Sequence, residues 1–312
     1  MPRLPRHKSE EATFYHLLSR VAGDPEDFPL HKRRAARKFL SLFEFYLRLY
    51  VCRLAGFQLM GNHYHAVVYF EQFRSLGAEE LKRRARHRFG KLWRLKTRHW
   101  EASDWDKFER DLFDVSCFMQ HVNGEFSKWY NHHYRRRGHF WADRFKNPEL
   151  LDSETVQKVI LYCELNAVRA GLVRRPEASR WGSAYWRWAG KKSDLLIPLQ
   201  ELFPVSQGKD AFATYRMLLT YYGALAPEDP YEQWTAPNRV LEHPSSLPKG
   251  VFSQRLRCFA DGVALGSRQA VRQILNRYRS QGLYKRRKHP IPQLANQLFS
   301  LREQRSHAFS PG

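Results

Sequence analysis

The stretch YVCRLAGFQLMGNHYHAVVYF, residues 50–70, reads as two strands joined by a tight turn. Gly61-Asn62 supplies the turn, and the flanking runs, about 50–60 and 63–70, are rich in aliphatic and aromatic residues. His63 and His65 stand one residue apart in the second run. Because strand side chains alternate faces, that spacing puts both imidazoles on the same side. Two neutral imidazoles a few ångströms apart form a ligand pair for a divalent cation. On spacing alone they fit an ordinary surface strand equally well.

Working outward, TFYHLLSR (13–20) alternates as a strand, and residues 31–49 turn from basic to Leu/Phe-rich with helical spacing. The polar, Trp-containing stretch 76–107 reads as helix with a loop. Between 108 and 134, Leu112, Val115, Met119, Val122, Phe126 and Trp129 recur at steps of 3 and 4, the mark of an amphipathic helix. HFWADRFKN (139–147) reads as a fourth strand. Asp152-Ser153-Glu154 then supplies an N-cap and an acidic first turn for a helix through about Asn166. The order β-α-β-β-α-β followed by a helix predicts an α+β fold, a ferredoxin-like (RRM-like) sandwich of antiparallel sheet and flanking helices. Past residue 195 the composition turns loop-like. We therefore expect a catalytic domain over 1–198 and a smaller helical C-terminal domain over 199–312, with helices near 211–223, 252–259 and 267–279. The last two are spaced as a helix-turn-helix DNA reader would be.

Charge narrows the function. The 312 residues carry 53 Lys+Arg against 31 Asp+Glu, a formal net charge of +22. Clusters stand at 31–38, 82–98, 135–137 and 285–288. A single cluster is commonly a solvated face; four point to a polyanion, because neutralised phosphates release counterions. Mean hydropathy is −0.64, no apolar run approaches the length of a membrane span, and the first residues, MPRLPRHKSEE, have no apolar signal core. The four cysteines (52, 117, 163 and 258) form no CxxC and read as buried thiols of a reducing compartment. The expectation is a cytoplasmic, nucleoid-associated protein that binds nucleic acid and no membrane.

On the helix 153–166, Val156, Val159, Ile160 and Cys163 form the apolar stripe, while Lys158, Tyr162, Asn166 and Arg169 follow one another at spacings of 4, 4 and 3. Tyr162 and Asn166 thus lie one turn apart on one face. The Asn166 oxygen can complete a metal site begun by His63 and His65; it can equally cap the helix.

Met60-Gly61-Asn62-His63-Tyr64-His65, YNHHYRRRGHFWADRFK (130–146), YCELNAVRAGLV (162–173) and RWGSAYW (180–186) occur in that order. Together, over about residues 12–190, they resemble the single-tyrosine HUH transposases, in particular the REP-associated tyrosine transposases. The resemblance implies a metal-dependent DNA strand transferase acting on single-stranded DNA with hairpin or palindromic repeats. It makes His63 and His65 the metal-binding histidines, with Mg²⁺ or Mn²⁺ as cofactor. Tyr162 becomes the nucleophile, and Asn166 the polar metal ligand one turn later. Gly61 and Ala167 stand where the family usually has proline. Lys158, Arg169, Arg135, Arg136, Arg137, Arg144 and Lys146 are the expected DNA contacts, and a homodimer is left open. The competing readings are a non-catalytic nucleic-acid-binding module with a ferredoxin-like fold and a related HUH nickase.

Overall fold

A computed structural model describes residues 9–24, 27–192, 194–205, 210–223, 252, 256–260, 262–282, 289–294 and 298–301. The N-terminal half forms β1 (Thr13–Arg20), α1 (Arg33–Leu49), β2 (Cys52–Leu59) and β3 (His63–Phe70). After these come α2 (Ala78–Phe89), α3 (Trp93–Thr97), α4 (Ala102–Asp111), α5 (Val115–His133) and β4 (Glu149–Leu150). Then follow α6 (Ser153–Glu164), α7 (Asn166–Arg169), α8 (Ser183–Trp188), α9 (Leu199–Leu202) and α10 (Ala211–Gly223). The chain closes with β5 (Ala264–Gly266), α11 (Arg268–Ser280), β6 (Ile291–Gln293) and β7 (Leu298–Leu301).

The strands form one mixed sheet in the order β2-β3-β1-β4-β5-β7-β6, antiparallel at every step except β4–β5. Both faces are covered, so the central strands are apolar almost throughout. On one face Tyr64, Ala66, Val68 and Phe70 of β3 and Tyr15 and Leu17 of β1 pack with Phe39 and Phe43 of α1 and Phe118 and Phe126 of α5. On the other, Val67 and Ala55 meet Val159 and Ile160 of α6. The approach of α6 is close: a Cβ on Gly56 of β2 would stand 3.2 Å from the Ile160 side chain. A side chain there would press on Ile160, which would have to give by a few tenths of an ångström.

Asp152 caps α6 where the sequence places it, and Asp114 starts α5 inside the stretch read as one helix from 108 to 134. Asp114 accepts from Ser116 N and Cys117 N at the start of α5, and Asp152 Oδ1 accepts from Thr155 N at 2.8 Å at the start of α6. The other Asp152 oxygen accepts from Ser267 N at 2.6 Å, tying the start of α6 to the start of α11.

Three expectations are corrected. The strand expected over 139–147 is an irregular segment joined to the β1 strand by bridges Leu18↔Lys146 and Val21↔Trp141, and the paired strand β4 comes later, at Glu149–Leu150. The C-terminal part is not simply helical, because β5, β6 and β7 extend the N-terminal sheet. Residues on both sides of the expected boundary at 198 also share a core, with Phe252, Phe259 and Tyr215 packed among Val159, Tyr162 and Leu165. Finally, where a helix-turn-helix was expected, Arg257–Phe259 is a single 3-10 turn and strand β5 precedes α11. Much of 252–259 lies outside the described residues. No described helix is long and apolar enough to cross a membrane.

Candidate active site

The pleat of β3 sends His63 and His65 to the face that α6 covers, with ring centroids 5.0 Å apart at 85°. Tyr162, from the last turn of α6, sets its ring edge-on to His65 at 6.0 Å. A tyrosine remote in sequence therefore meets the histidine pair. Arg169 of α7 lies with its guanidinium 4.5 Å from the centre of the Tyr162 ring, within cation–π range.

Asn166 is brought to Tyr162 but is held within its own turn. Its Nδ2 donates to the Tyr162 carbonyl at 2.9 Å, and its Oδ1 accepts from the Arg169 guanidinium. An oxygen that already faces a guanidinium is a poor partner for a second cation.

His16 of β1, which the sequence reading did not single out, completes the cluster. Its Nε2 lies 2.9 Å from His65 Nδ1 and 3.4 Å from the Cys163 thiol, and its Nδ1 lies 2.6 Å from the Phe259 carbonyl oxygen. Among the described residues, His16, His65 and Cys163 form the group whose ligand atoms all fall within 4.8 Å of one another. Burial pushes the His16 pKa down to about 4 and the Cys163 thiol well up, so both are uncharged near neutrality.

Hydrogen-bond chemistry then assigns the protons. A carbonyl only accepts, so His16 Nδ1 carries the hydrogen and its Nε2 accepts from His65 Nδ1–H, leaving His65 Nε2 unprotonated. By the same argument Asn62 Oδ1, 2.7 Å from His63 Nδ1, makes that nitrogen the donor and leaves His63 Nε2 unprotonated. Both histidines are thereby held in the tautomer that offers Nε2 to a metal, the usual work of groups behind a ligand shell. On this donor chemistry the residues present fit a divalent cation. Imidazole nitrogen is a softer donor than Mg²⁺ prefers, so Mn²⁺ suits the pair better.

The expected DNA contacts divide. Lys158 is corrected: its side chain is 5% exposed, folded under the protein, and its ammonium pairs with Glu154 at 2.6 Å. The alkyl stem buries while the head finds its carboxylate one turn back, a behaviour spacing alone does not reveal. Arg136 is half-buried and structural in its contacts, donating to the Ala22 and His139 carbonyls and lying over Phe140. Arg135, Arg137, Arg144 and Lys146 are exposed. The segment carrying them runs beside the right strand end: Leu18 pairs with His65 on one side and Lys146 on the other. That places this basic segment roughly two strand spacings, about 10 Å, from the histidine strand.

Tyr162 is only 3% exposed, because Phe252 and Phe259 stand over it with ring centroids at 6.0 and 4.7 Å. The C-terminal part thus roofs the cluster.

No protein-family profile and no curated protein matches the chain. Among solved structures, the chain is similar to a REP-associated tyrosine transposase bound to a REP hairpin, at 10% identity, a TM-score of 0.42, and coverage of 67% of this chain and 98% of that one.

Proposed function

We propose that this protein is a DNA strand transferase of the single-tyrosine HUH kind, built on a ferredoxin-like arrangement in which β2-β3-β1-β4 is the antiparallel core. Its substrate is single-stranded DNA with hairpin repeats. The Tyr162 oxygen attacks a phosphodiester: the O–P bond to tyrosine forms, the P–O3′ bond breaks, the phenol proton passes to solvent and the 3′-oxygen takes one up. The products are a 5′-phosphotyrosine and a free 3′-OH. The phosphodiester energy is retained, so a second 3′-OH can reverse the step and join new ends.

A divalent cation held by His63 and His65 would supply charge stabilisation at the scissile phosphate oxygens. Arg169, against the Tyr162 ring, favours the phenolate and attracts the phosphate. A phenol with a reference pKa near ~10 needs that help at neutral pH. His16 and Asn62 orient the two imidazoles.

The observation that carries this reading is the edge-on approach of Tyr162 to His65 beside His63. A non-catalytic binding module gives no reason for that convergence. The test is incubation of the full chain with a labelled single-stranded hairpin oligonucleotide and Mn²⁺. We expect a covalent adduct that resists SDS, absent with EDTA and absent in Tyr162→Phe. An adduct that survives Tyr162→Phe removes the assignment.

A further inference from the structure

The proposed chemistry leaves the C-terminal unit without a role beyond roofing Tyr162, yet its outer surface carries a distinct feature. Helix α11 buries Val271, Ile274, Leu275 and Tyr278 against β5 and β7. Arg268, Arg272, Asn276 and Arg279, at spacings of 4, 4 and 3, line the wall of an open groove of about 1050 Å³. Phe299 of β7 and His289 from the approach to β6 form the other side. Arg268 lies 5.9 Å from the centre of the Phe299 ring, so charge and an aromatic face stand side by side. No carboxylate lines the groove among the described residues.

Arg268 and Arg272 are like charges one turn apart, an arrangement that destabilises a helix. Stability alone gives no reason for it, whereas an anion along the groove does. The stripe from Arg268 to Arg279 rises roughly 16 Å along the helix. That length covers more than one phosphate of a DNA backbone, whose charges on one strand recur every ~3.4 Å along a duplex axis. A compact phosphorylated metabolite would span only a fraction of it. In sequence, Lys285-Arg286-Arg287-Lys288 follows directly, outside the described residues. We infer that the groove between α11 and the β6–β7 strands is a second nucleic-acid site, gripping the phosphodiester backbone of DNA, with Phe299 available as a stacking surface.

The site does not share residues with the Tyr162 cluster, so the two readings fail separately. The experiment measures binding of the full chain to fluorescein-labelled oligo(dT) and to a labelled DNA hairpin by anisotropy, in EDTA, across a KCl series. Arg268→Ala/Arg272→Ala should weaken at least one probe about tenfold at low salt. It should also reduce the salt slope by about 1.4, since each single-strand phosphate contact contributes ~0.7. The probe that weakens more identifies the strand or the stem as occupant. Arg272→Gln alone should move in the same direction by less, and Arg268→Lys/Arg272→Lys should restore the slope. Unchanged affinity and slope for both probes, in a variant that melts like the parent, overturns the inference. So does inorganic tripolyphosphate displacing DNA as well as an equal phosphate concentration of unlabelled oligo(dT), which would make the groove a small-anion site. The assay runs in EDTA, where no covalent step is expected, so loss of the proposed chemistry leaves the result standing.

Discussion

Nδ1 of His65 lies 2.9 Å from Nε2 of His16, and the far nitrogen of His16 reaches the Phe259 carbonyl. A backbone carbonyl of the C-terminal part thereby dictates, through one intervening ring, which nitrogen of His65 is left without a proton. The expected consequence is graded. His16→Leu removes the acceptor behind His65 and should weaken Mn²⁺ binding by roughly 10- to 100-fold, the usual range for groups behind a ligand. His16→Gln, which keeps an acceptor oxygen, should lose much less. Calorimetry with Mn²⁺ reads the affinity, and long-range proton–nitrogen NMR on the metal-free protein reads the tautomer directly. Finding His65 protonated on Nε2 would break this account of the site.

What was legible follows from pattern strength. The HxH pair, the N-cap at Asp152 and the stripe Val115, Met119, Val122, Phe126 and Trp129 of α5 are local signals, and each stands where its spacing requires, whereas Leu112 falls outside α5 at the end of α4. His16 was not legible: in TFYHLLSR it is one alternating strand residue, and its meaning comes from pairing β1 with β3 forty-nine positions away. Strands β5, β6 and β7 have only three or four residues, too few for any periodicity to register. The burial of Tyr162 depends on Phe252 and Phe259 arriving from far along the chain, which no spacing within α6 can announce.

That roof has a kinetic consequence. With Tyr162 buried beneath two phenyl rings, the proposed attack on a phosphodiester requires Phe252 and Phe259 to move off the hydroxyl first. Phe259→Ala keeps the backbone carbonyl behind His16 while removing the closest ring. It should lower stability by about 3–5 kcal/mol, as for other buried Phe→Ala changes. Single-turnover adduct formation at saturating DNA should nevertheless accelerate several-fold. A slower or unchanged rate would mean that the roof does not gate access.

Glu164, beside Tyr162 in sequence, points the other way, into a buried knot. It accepts from Ser183 Oγ at 2.6 Å and from Tyr215 OH at 2.5 Å, with Arg187 at 3.9 Å. Burial raises its pKa above the model-compound 4.5, a trend that Arg187 and the two hydroxyls oppose but do not cancel. Below pH ~4.5 the carboxyl is protonated folded or unfolded. As pH climbs towards the raised folded value, the unfolded chain ionises more readily than the folded one, so stability is lost across that window. The Tm of Glu164→Gln relative to the parent should therefore rise between pH 4 and 7, as followed by thermal melts. A difference independent of pH would show that Glu164 ionises as easily in the fold as outside it.

Gly61, where the resembled family usually carries proline, has its own local cause. A Cβ there would stand 2.6 Å from Phe28 Cδ1 and 2.9 Å from Phe28 Cβ, and the Gly61 carbonyl accepts from Leu30 N at 2.8 Å. The segment 28–30 thus lies directly over the turn that aims His63, and it can do so only against a residue without a side chain. Gly61→Ala should cost about 1–3 kcal/mol, in the range of overpacked sites. It should also weaken Mn²⁺ binding, because the strain falls on the turn before the histidines. Phe28→Ala clears the obstruction, so in a double-mutant cycle by denaturant unfolding the pair should cost less than the sum of its parts. Additive costs would place the source of the glycine's necessity in the backbone of the turn rather than in the ring above it.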